Sequence, residues 1–504
     1  MVVLAGGIVT NSNQSASYVR MLARDASTSI DAVYYNPAGL TKLADGFHVS
    51  LSNQSIFQKK TIENKFTYLN DGKYIGDVAA PLFPDFYAVY KKNKLALAFG
   101  LTPNAGGGSA KYNTGLPSFE IPVSVIPASL TAAGITTNNY SADINFEGTS
   151  VFWGAQVNAS YAINDMISLS AGVRMILAKN TYSGYLKNIM IDPTSATYGF
   201  DGTMRSASSV FTTLANASST VASNIQPYVT AAPTATLAQL VAGGSMSQAT
   251  ANALAGGLGI DPTTSTLSIT QIQGGYNQKA ATLNANADNT LDKEVDADQT
   301  GTGFTPIFGA NLTFGEKLNI GIKYEFRTKL TLTNSTKVDG TGMFTDGNKI
   351  RSDIPAILSV GIGYKVLPQM RVSAGMHYYF DKDAIIESAP GVKKTIEGNL
   401  YEIALGGEYD ITDKVLISAG YLYGKTGVGA GYQTDLSHSL TSSTVGFGGG
   451  FKVTEKMLLN LGMLYTMYTS DAKSIDYSAY GLGSANETYN RTNIVFSIGV
   501  DYHF

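Results

Sequence analysis

TNIVFSIGVDYHF, residues 492–504, carries the clearest period in the chain. Ile494, Phe496, Ile498, Val500, Tyr502 and Phe504 are apolar, and Asn493, Ser497, Gly499, Asp501 and His503 lie between them, with Val495 the only exception. A period of two belongs to a strand with one greasy and one polar face. The same alternation sets Leu318, Ile320, Ile322, Tyr324 and Phe326 against Asn319, Gly321, Lys323, Glu325 and Arg327. It returns in Met370, Val372, Ala374, Met376, Tyr378 and Phe380. A soluble sandwich alternates too, but its polar face meets bulk water and is rarely so rich in Gly and Tyr, which number 53 and 30 here.

Working outward, composition favours a membrane barrel. Charged residues are 14% of the 504, against roughly 25% in a typical soluble domain. No stretch reaches the 18 to 20 or so uninterrupted apolar residues of a spanning helix, so a chain of this kind crosses lipid only as a closed barrel. A net charge of -3 leaves no basic footprint for nucleic acid. The absence of cysteine excludes disulfides, thiolate metal sites and thiol nucleophiles. Met1 to Gly7 lacks the basic region and full apolar core of a signal peptide, so the chain reads as a mature or trimmed form.

Connections fix the strand count. Short turns fall at Lys92-Asn93, Asn164-Asp165, Gly315-Glu316, Pro368-Gln369, Thr412-Asp413 and Thr454-Glu455, with a long excursion between successive turns. That alternation belongs to outer-membrane barrels. Fourteen antiparallel strands follow, near 47–58, 83–92, 94–104, 145–163, 166–188, 303–315, 317–334, 354–367, 369–382, 399–412, 414–426, 442–454, 456–469 and 491–504. An even number puts both chain ends on the short-turn, periplasmic side. Tyr502 and Phe504, with Tyr161, Tyr364, Tyr409 and Tyr465 near strand ends, suit interfacial girdles or ordinary packing.

Two segments are not barrel. Residues 1–46 do not alternate; Tyr18, Val19, Leu22 and Ala23 form a helical stripe, and Pro37 and Gly39 stop it. With Arg20, Arg24, Asp25 and Asp31 this segment is too polar for lipid and fits inside a polar lumen as a hatch. The barrel proper is then 47–504. Residues 189–300, rich in Ala, Thr, Ser and Asn, read as a long extracellular loop, mobile at the surface, with helix-capable stretches at Ala235 to Ala242 and Ser247 to Leu258. Its acidic run, Asp288, Asp292, Glu294, Asp296 and Asp298, lacks EF-hand spacing and reads as a solvated loop, with calcium the alternative and no metal assigned. Gly106, Gly107 and Gly108 read as a bend or bulge where the third strand passes into its loop.

The hatch segment carries a resemblance. Gln14-Ser15, Tyr18, Arg24-Asp25-Ala26-Ser27, Asp31-Ala32 and the run Tyr35-Asn36-Pro37-Ala38-Gly39-Leu40 resemble the plug of the long-chain fatty acid transporter family (FadL/TodX-like). The resemblance implies a fourteen-stranded outer-membrane barrel, uptake of hydrophobic molecules, and a side opening near a kink in the third strand, for which Gly106 to Gly108 is the candidate. It assigns Asn36, Pro37 and Ala38 to the gate. It also points to basic residues on strands five and seven as seats for a ligand carboxylate, here Arg174, Lys179, Lys323 and Arg327. By parity Arg174, Lys323, Arg327 and Arg371 face the lumen, as do Glu325, Glu402 and Glu408, so an Arg/Lys to Glu brace of the barrel interior is the competing reading. The implied partners are a fatty acid or other hydrophobic small molecule and outer-membrane lipid; the implied state is a monomer without cofactors.

Rival functions differ in what they require. A general porin needs an open lumen, which a plug denies. A barrel hydrolase needs a Ser beside an oriented His; of the four histidines, His377 lies about 13 Å along an extended strand from Ser373. An adhesin using 189–300 is compatible with transport. The chain therefore reads as a channel, not an enzyme, whose cargo is a fatty acid, an aromatic hydrocarbon, a bile-type lipid or another amphiphile.

Overall fold

The computed structural model describes residues 8–504; Met1 to Gly7 and the reading placed on them lie outside the described residues. The wall consists of β1 (Gly46–Asn64), β2 (Lys73–Lys92), β3 (Leu95–Tyr112), β4 (Tyr140–Ala162), β5 (Ile167–Ile191), β6 (Lys293–Phe314) and β7 (Leu318–Glu325). It continues through β8 (Ile357–Leu367), β9 (Met370–Tyr379), β10 (Tyr401–Asp410), β11 (Val415–Lys425), β12 (Ser442–Thr454), β13 (Met457–Tyr468) and β14 (Ser484–His503). Neighbours pair antiparallel, and β14 pairs with β1 from His48↔His503 to Asn64↔Glu487, closing the cylinder without a free edge. Every wall strand expected from the sequence is found.

β2 and β7 differ most in length. β2 begins at Lys73, ten residues before the expected start, because Pro81 and Pro84 interrupt the alternation within it, and β7 stops at Glu325, nine residues before the expected end. Along β1 even-numbered residues from His48 to Asn64 face inward and are buried, whereas Phe47, Leu51 and Phe57 face outward. Leu97, Val157, Leu169, Phe308, Ile362, Leu405, Ile417, Phe447 and Ile498 continue the exposed apolar band that lipid covers. At the short-turn end Tyr90, Tyr161, Tyr364, Tyr409 and Phe504 are exposed together, as a girdle requires. Among the described residues no helix is long and apolar enough to cross a membrane.

A helical segment supplies the core of this barrel. Residues 8–43 form α1 (Ala16–Arg20), capped by the Ser15 side chain accepting from the Tyr18 N–H, then α2 (Ala32–Tyr35) and a 3-10 turn from Pro37 to Lys42. Tyr18, Leu22, Val33, Tyr35 and Leu40 pack on Phe83, Tyr87, Leu422, Leu464 and Val495 of the wall.

A second compact unit comprises residues 119–144 and 186–293. The expected mobile loop is here a set of packed helices: α3 (Pro117–Ser124), α4 (Ile126–Ala132), α5 (Ala207–Ala231), α6 (Leu237–Ala242), α7 (Gln248–Leu258) and α8 (Ile269–Asn289). Val210, Phe211, Leu214, Ala222 and Ile225 form one buried stripe of α5. Capping boxes at Thr236/Gln239 and Ser268/Gln271 start α6 and α8. Small and polar residues hide these helices, because one narrow stripe is all that helix-on-helix packing needs.

Candidate functional site

The hatch approaches the wall more closely than side chains normally allow. A Cβ on Gly361 would meet the backbone of Asp25 and Ala26 at 2.5 Å, one on Gly420 the Leu22 nitrogen at 2.6 Å, and one on Gly446 the Val19 carbonyl at 2.5 Å. A Cβ on Gly462 would meet the Arg20 nitrogen at 2.9 Å, and one on Gly499 the Ala16 Cβ at 2.9 Å. Inward-facing glycines on β7, β8 and β11 to β13 thus form a belt on which hatch backbone lies directly against strand backbone, and the glycine on β14 meets a hatch side chain. Close approach is what glycine permits here.

Charged groups lock the hatch onto that belt. Arg20 pairs with Glu408 and donates to Ser418 at 3.0 Å and Asn460 at 3.2 Å. Arg24 holds Asp31 through two bonds of 2.7 and 2.9 Å, and the Ser27 hydroxyl donates to the same carboxylate at 2.6 Å. His377 sits between Asp25, at 2.7 Å, and Glu402, at 2.8 Å, and the Tyr379 hydroxyl donates to Glu402 at 2.8 Å. With both ring nitrogens facing carboxylates, His377 joins Asp25 of the hatch to Glu402 of the wall.

Arg174 and Lys323 come together as the sequence suggested, around a shared carboxylate. Glu325 lies 2.5 Å from Arg174 and 2.6 Å from Lys323, and all three are almost wholly buried. Lys323 also donates to the Tyr34 carbonyl at 2.8 Å, and both cations lie over the Tyr34 ring, at 4.5 and 4.8 Å. Arg174 donates to Gln156 at 2.7 Å, and Gln156 passes the contact on to the Val33 carbonyl at 2.7 Å. Lys179 and Arg327 are elsewhere. Lys179, odd-numbered where Arg174 is even, points outward and pairs with Asp298 at 3.2 Å. Arg327 lies past the end of β7, 3.8 Å from Asp353, and donates to the Asp383 carbonyl. Of the acidic run, Asp296 pairs with Lys337 and Asp292 accepts from the Asn188 backbone.

Asn36 bridges hatch and wall. Its amide donates to the Ser27 carbonyl at 3.0 Å and to Asn311 at 2.7 Å, Pro37 opens the 3-10 turn with its carbonyl on Ser160 at 2.7 Å, and Ala38 is fully buried.

Beside the hatch the wall is broken. β2 and β3 pair from Gly76↔Tyr112 to Ala79↔Ser109 and again from Phe86↔Leu101, but not between. On β3 the stretch contains Pro103 and two bulges against β4, at Pro103/Ala105 and Gly106/Gly108. Thr102 to Gly106 are all buried, where a lipid-facing wall would alternate. Gly106 and Gly108 have φ of +79° and +114°, and a side chain on Gly106 would strike the Ser150 carbonyl; the surroundings of Gly107 lie outside the described residues.

Unpaired backbone in lipid is costly, and here side chains supply the missing bonds. Asn53 and Ser55 donate to the Pro81 carbonyl at 3.1 and 3.0 Å. From inside, the hatch serves β3: Asn11 donates through its backbone to Asn104 at 3.0 Å and through its side chain to Gly106 at 2.6 Å, and Gln14 donates to Pro103 at 3.2 Å. A buried carboxylate, Asp85, lies at the edge of this break, accepting from Ser52 and Gln54. A pocket of about 540 Å³ opens at the other edge, lined by Phe57, Val78, Ala79, Ser109, Lys111 and Glu147. Sequence reasoning missed the break on β2, although Pro81, Pro84 and Pro103 marked it. Asp25, His377 and Asn311 were also missed; their partners are distant in sequence, and no local pattern announces them.

Comparison with known proteins places this geometry. The family model described as outer membrane protein transport protein (OMPP1/FadL/TodX) matches residues 228–504, more than half of the chain. Among curated proteins none matches. A crystal structure of a Pseudomonas aeruginosa FadL homologue is similar with a TM-score of 0.59 at 14% identity, over 99% of this chain and 100% of that one. Two crystal structures of the Pseudomonas putida toluene transporter TodX give 0.54 and 0.52, each at 14% identity. The first covers 99% of this chain and 100% of that one, the second 95% of each. At that identity the likeness speaks for the fold.

Proposed function

The chain belongs to the outer membrane transport family OMPP1/FadL/TodX, whose members are channels for hydrophobic compounds, and from that premise we propose how this one works. It takes up a long-chain fatty acid or a similar lipophilic molecule, as a monomer, through a lumen closed by residues 8–43 and out through the break between β2 and β3. In this reading the short turns of the barrel face the periplasm and its long loops face outward.

The observation that carries this reading is the shared set of hydrogen bonds at the break. Hatch residues Asn11 and Gln14 satisfy the carbonyls of β3 that β2 leaves free. A hatch shift there would uncover a route into the bilayer. A greasy ligand loses about 0.8 kcal/mol per methylene when it leaves an apolar site for water, so an exit into lipid suits it better than a watery pore. In this scheme Gly106 to Gly108 form the kinked rim and Asn36, Pro37 and Ala38 hinge the hatch. Arg174 and Lys323 act first as its seat and meet ligand only when Tyr34 moves; Lys179 and Arg327 guard the outer approach.

Uptake tests the reading. Cells lacking their own long-chain fatty acid channel are expected to take up labelled oleate when this chain is expressed, and liposomes containing it are expected to exclude arabinose. Rapid arabinose entry without oleate uptake would make it a porin.

A further inference from the structure

The long loops bring a cation to the rim of an apolar cluster. Ile8 and Val9 of the hatch pack with Phe152, Leu330, Ile386 and Tyr432, and the half-buried Ile396 and Val428 lie against them. Lys394, in the loop after β9, is tied to this cluster twice. Its backbone N–H donates to the Ile386 carbonyl at 2.8 Å, and its ammonium lies over the ring of buried Tyr432, in the loop after β11, at 4.7 Å. A half-buried ammonium calls for an anion, and the chain supplies none. Among the described residues the Lys394 ammonium has no ion pair and no hydrogen bond. Acids of the same region are placed otherwise: Asp381 accepts from the Leu400 backbone and Glu387 from the Arg351 backbone, while exposed Glu397 lies against Gly429. A second cation acts on Lys394 instead. Lys473, in the loop after β13, donates to the Gln433 carbonyl at 3.1 Å and stands opposite Glu487, whose oxygens take Asn64 and Tyr489. Burial first, and the Lys473 charge after it, push the Lys394 ammonium down to about 8.

We propose that Lys394, over Tyr432, is the seat for the carboxylate of a single-chain amphiphile whose alkyl chain lies along Ile396 and Val428 on the apolar cluster. A carboxylate there supplies the missing counter-charge through a charge-assisted hydrogen bond, and Lys473 adds attraction at longer range. A lone cation beside apolar surface matches a molecule with one charged end and one greasy tail. Because Ile8 and Val9 belong to the same cluster, the seated chain rests against the hatch it has to pass. The assignment rests on the hydrophobic-uptake reading and deepens it: Arg174 and Lys323 already share Glu325 at the hatch, so the head group is recognised in the loops instead.

The test compares dodecanoate with 1-dodecanol, each bound to the full chain in lipid nanodiscs and measured by equilibrium dialysis against empty nanodiscs. One charge-assisted hydrogen bond is worth about tenfold in affinity, so the native chain is expected to hold dodecanoate about tenfold more tightly than the alcohol. Lys394→Gln is expected to erase that preference while leaving the alcohol unchanged, and Lys394→Arg to keep it. Equal binding of both ligands to the native chain, a glutamine variant that retains the preference, or one that loses both ligands alike overturns the seat alone. Binding of neither ligand to the native chain overturns the seat and the uptake reading together. Should Lys394→Gln fail to fold, judged by heat-modified migration, Lys394→Met takes its place with the same outcomes.

Discussion

Glu325 is shared by Arg174 and Lys323, and both cations lie over the Tyr34 ring. Glu325→Gln would leave two buried cations facing each other, and breaking a buried pair in this way costs about 3–5 kcal/mol. Hatch docking is expected to weaken accordingly, read as faster proteolysis within residues 8–43 and an earlier denaturant transition; a variant as resistant as the native chain would remove the seat from this pair. Asp381, in the turn after β9, gives a pH signature. Burial lifts its carboxyl to about 7 from 3.8, although the Leu400 backbone N–H bonds to it at 2.9 Å. The folded form holds the proton more tightly than the unfolded one, so this contribution is full below about pH 4 and is lost as pH rises through about 7. Hydrogen-exchange protection at Leu400 should fall between pH 6 and pH 8, and Asp381→Asn should flatten the profile. A pH-independent native chain would contradict the assignment.

The hatch and its glycine belt act together. Gly361→Val would drive a side chain into the Asp25–Ala26 backbone, and the expected result is a loosened plug: higher conductance in planar bilayers and greater sensitivity of cells to large antibiotics. Unchanged conductance would show that the belt tolerates displacement. A Cβ on Gly363 would lie 3.7 Å from that of Ala26, a separation suited to a disulfide, and the chain has no cysteine to interfere. Ala26→Cys with Gly363→Cys should therefore cross-link hatch to wall on oxidation. Elements of this kind were unequally legible in the sequence. Wall strands announced themselves because lipid on one side and a polar lumen on the other impose a strict period of two. The hatch was legible through its lost alternation and the Asn36-Pro37-Ala38 run. α5 and α8 were not, since their Ala, Ser and Thr faces conceal a narrow buried stripe. The belt was invisible, because nothing in the sequence says which of 53 glycines faces a backbone.

The closed barrel, the docked hatch and the broken β2–β3 pairing make one arrangement, in which the bonds that seal the wall are the bonds that hold the plug. Parity brought Arg174 and Lys323 into the lumen correctly, but their shared carboxylate and the hatch carbonyl they hold belong to the tertiary structure. Lys179, near the outer end of β5, falls on the opposite face of that strand from Arg174 and so stands apart from this set. The most direct measurement is oleate uptake by cells carrying the Ala26→Cys/Gly363→Cys chain, oxidised and then reduced, alongside arabinose swelling of liposomes containing the same protein. The account expects oleate entry to stop on oxidation and resume on reduction, with arabinose excluded throughout. Oleate entry indifferent to the cross-link, or arabinose entering as through an open pore, would contradict it.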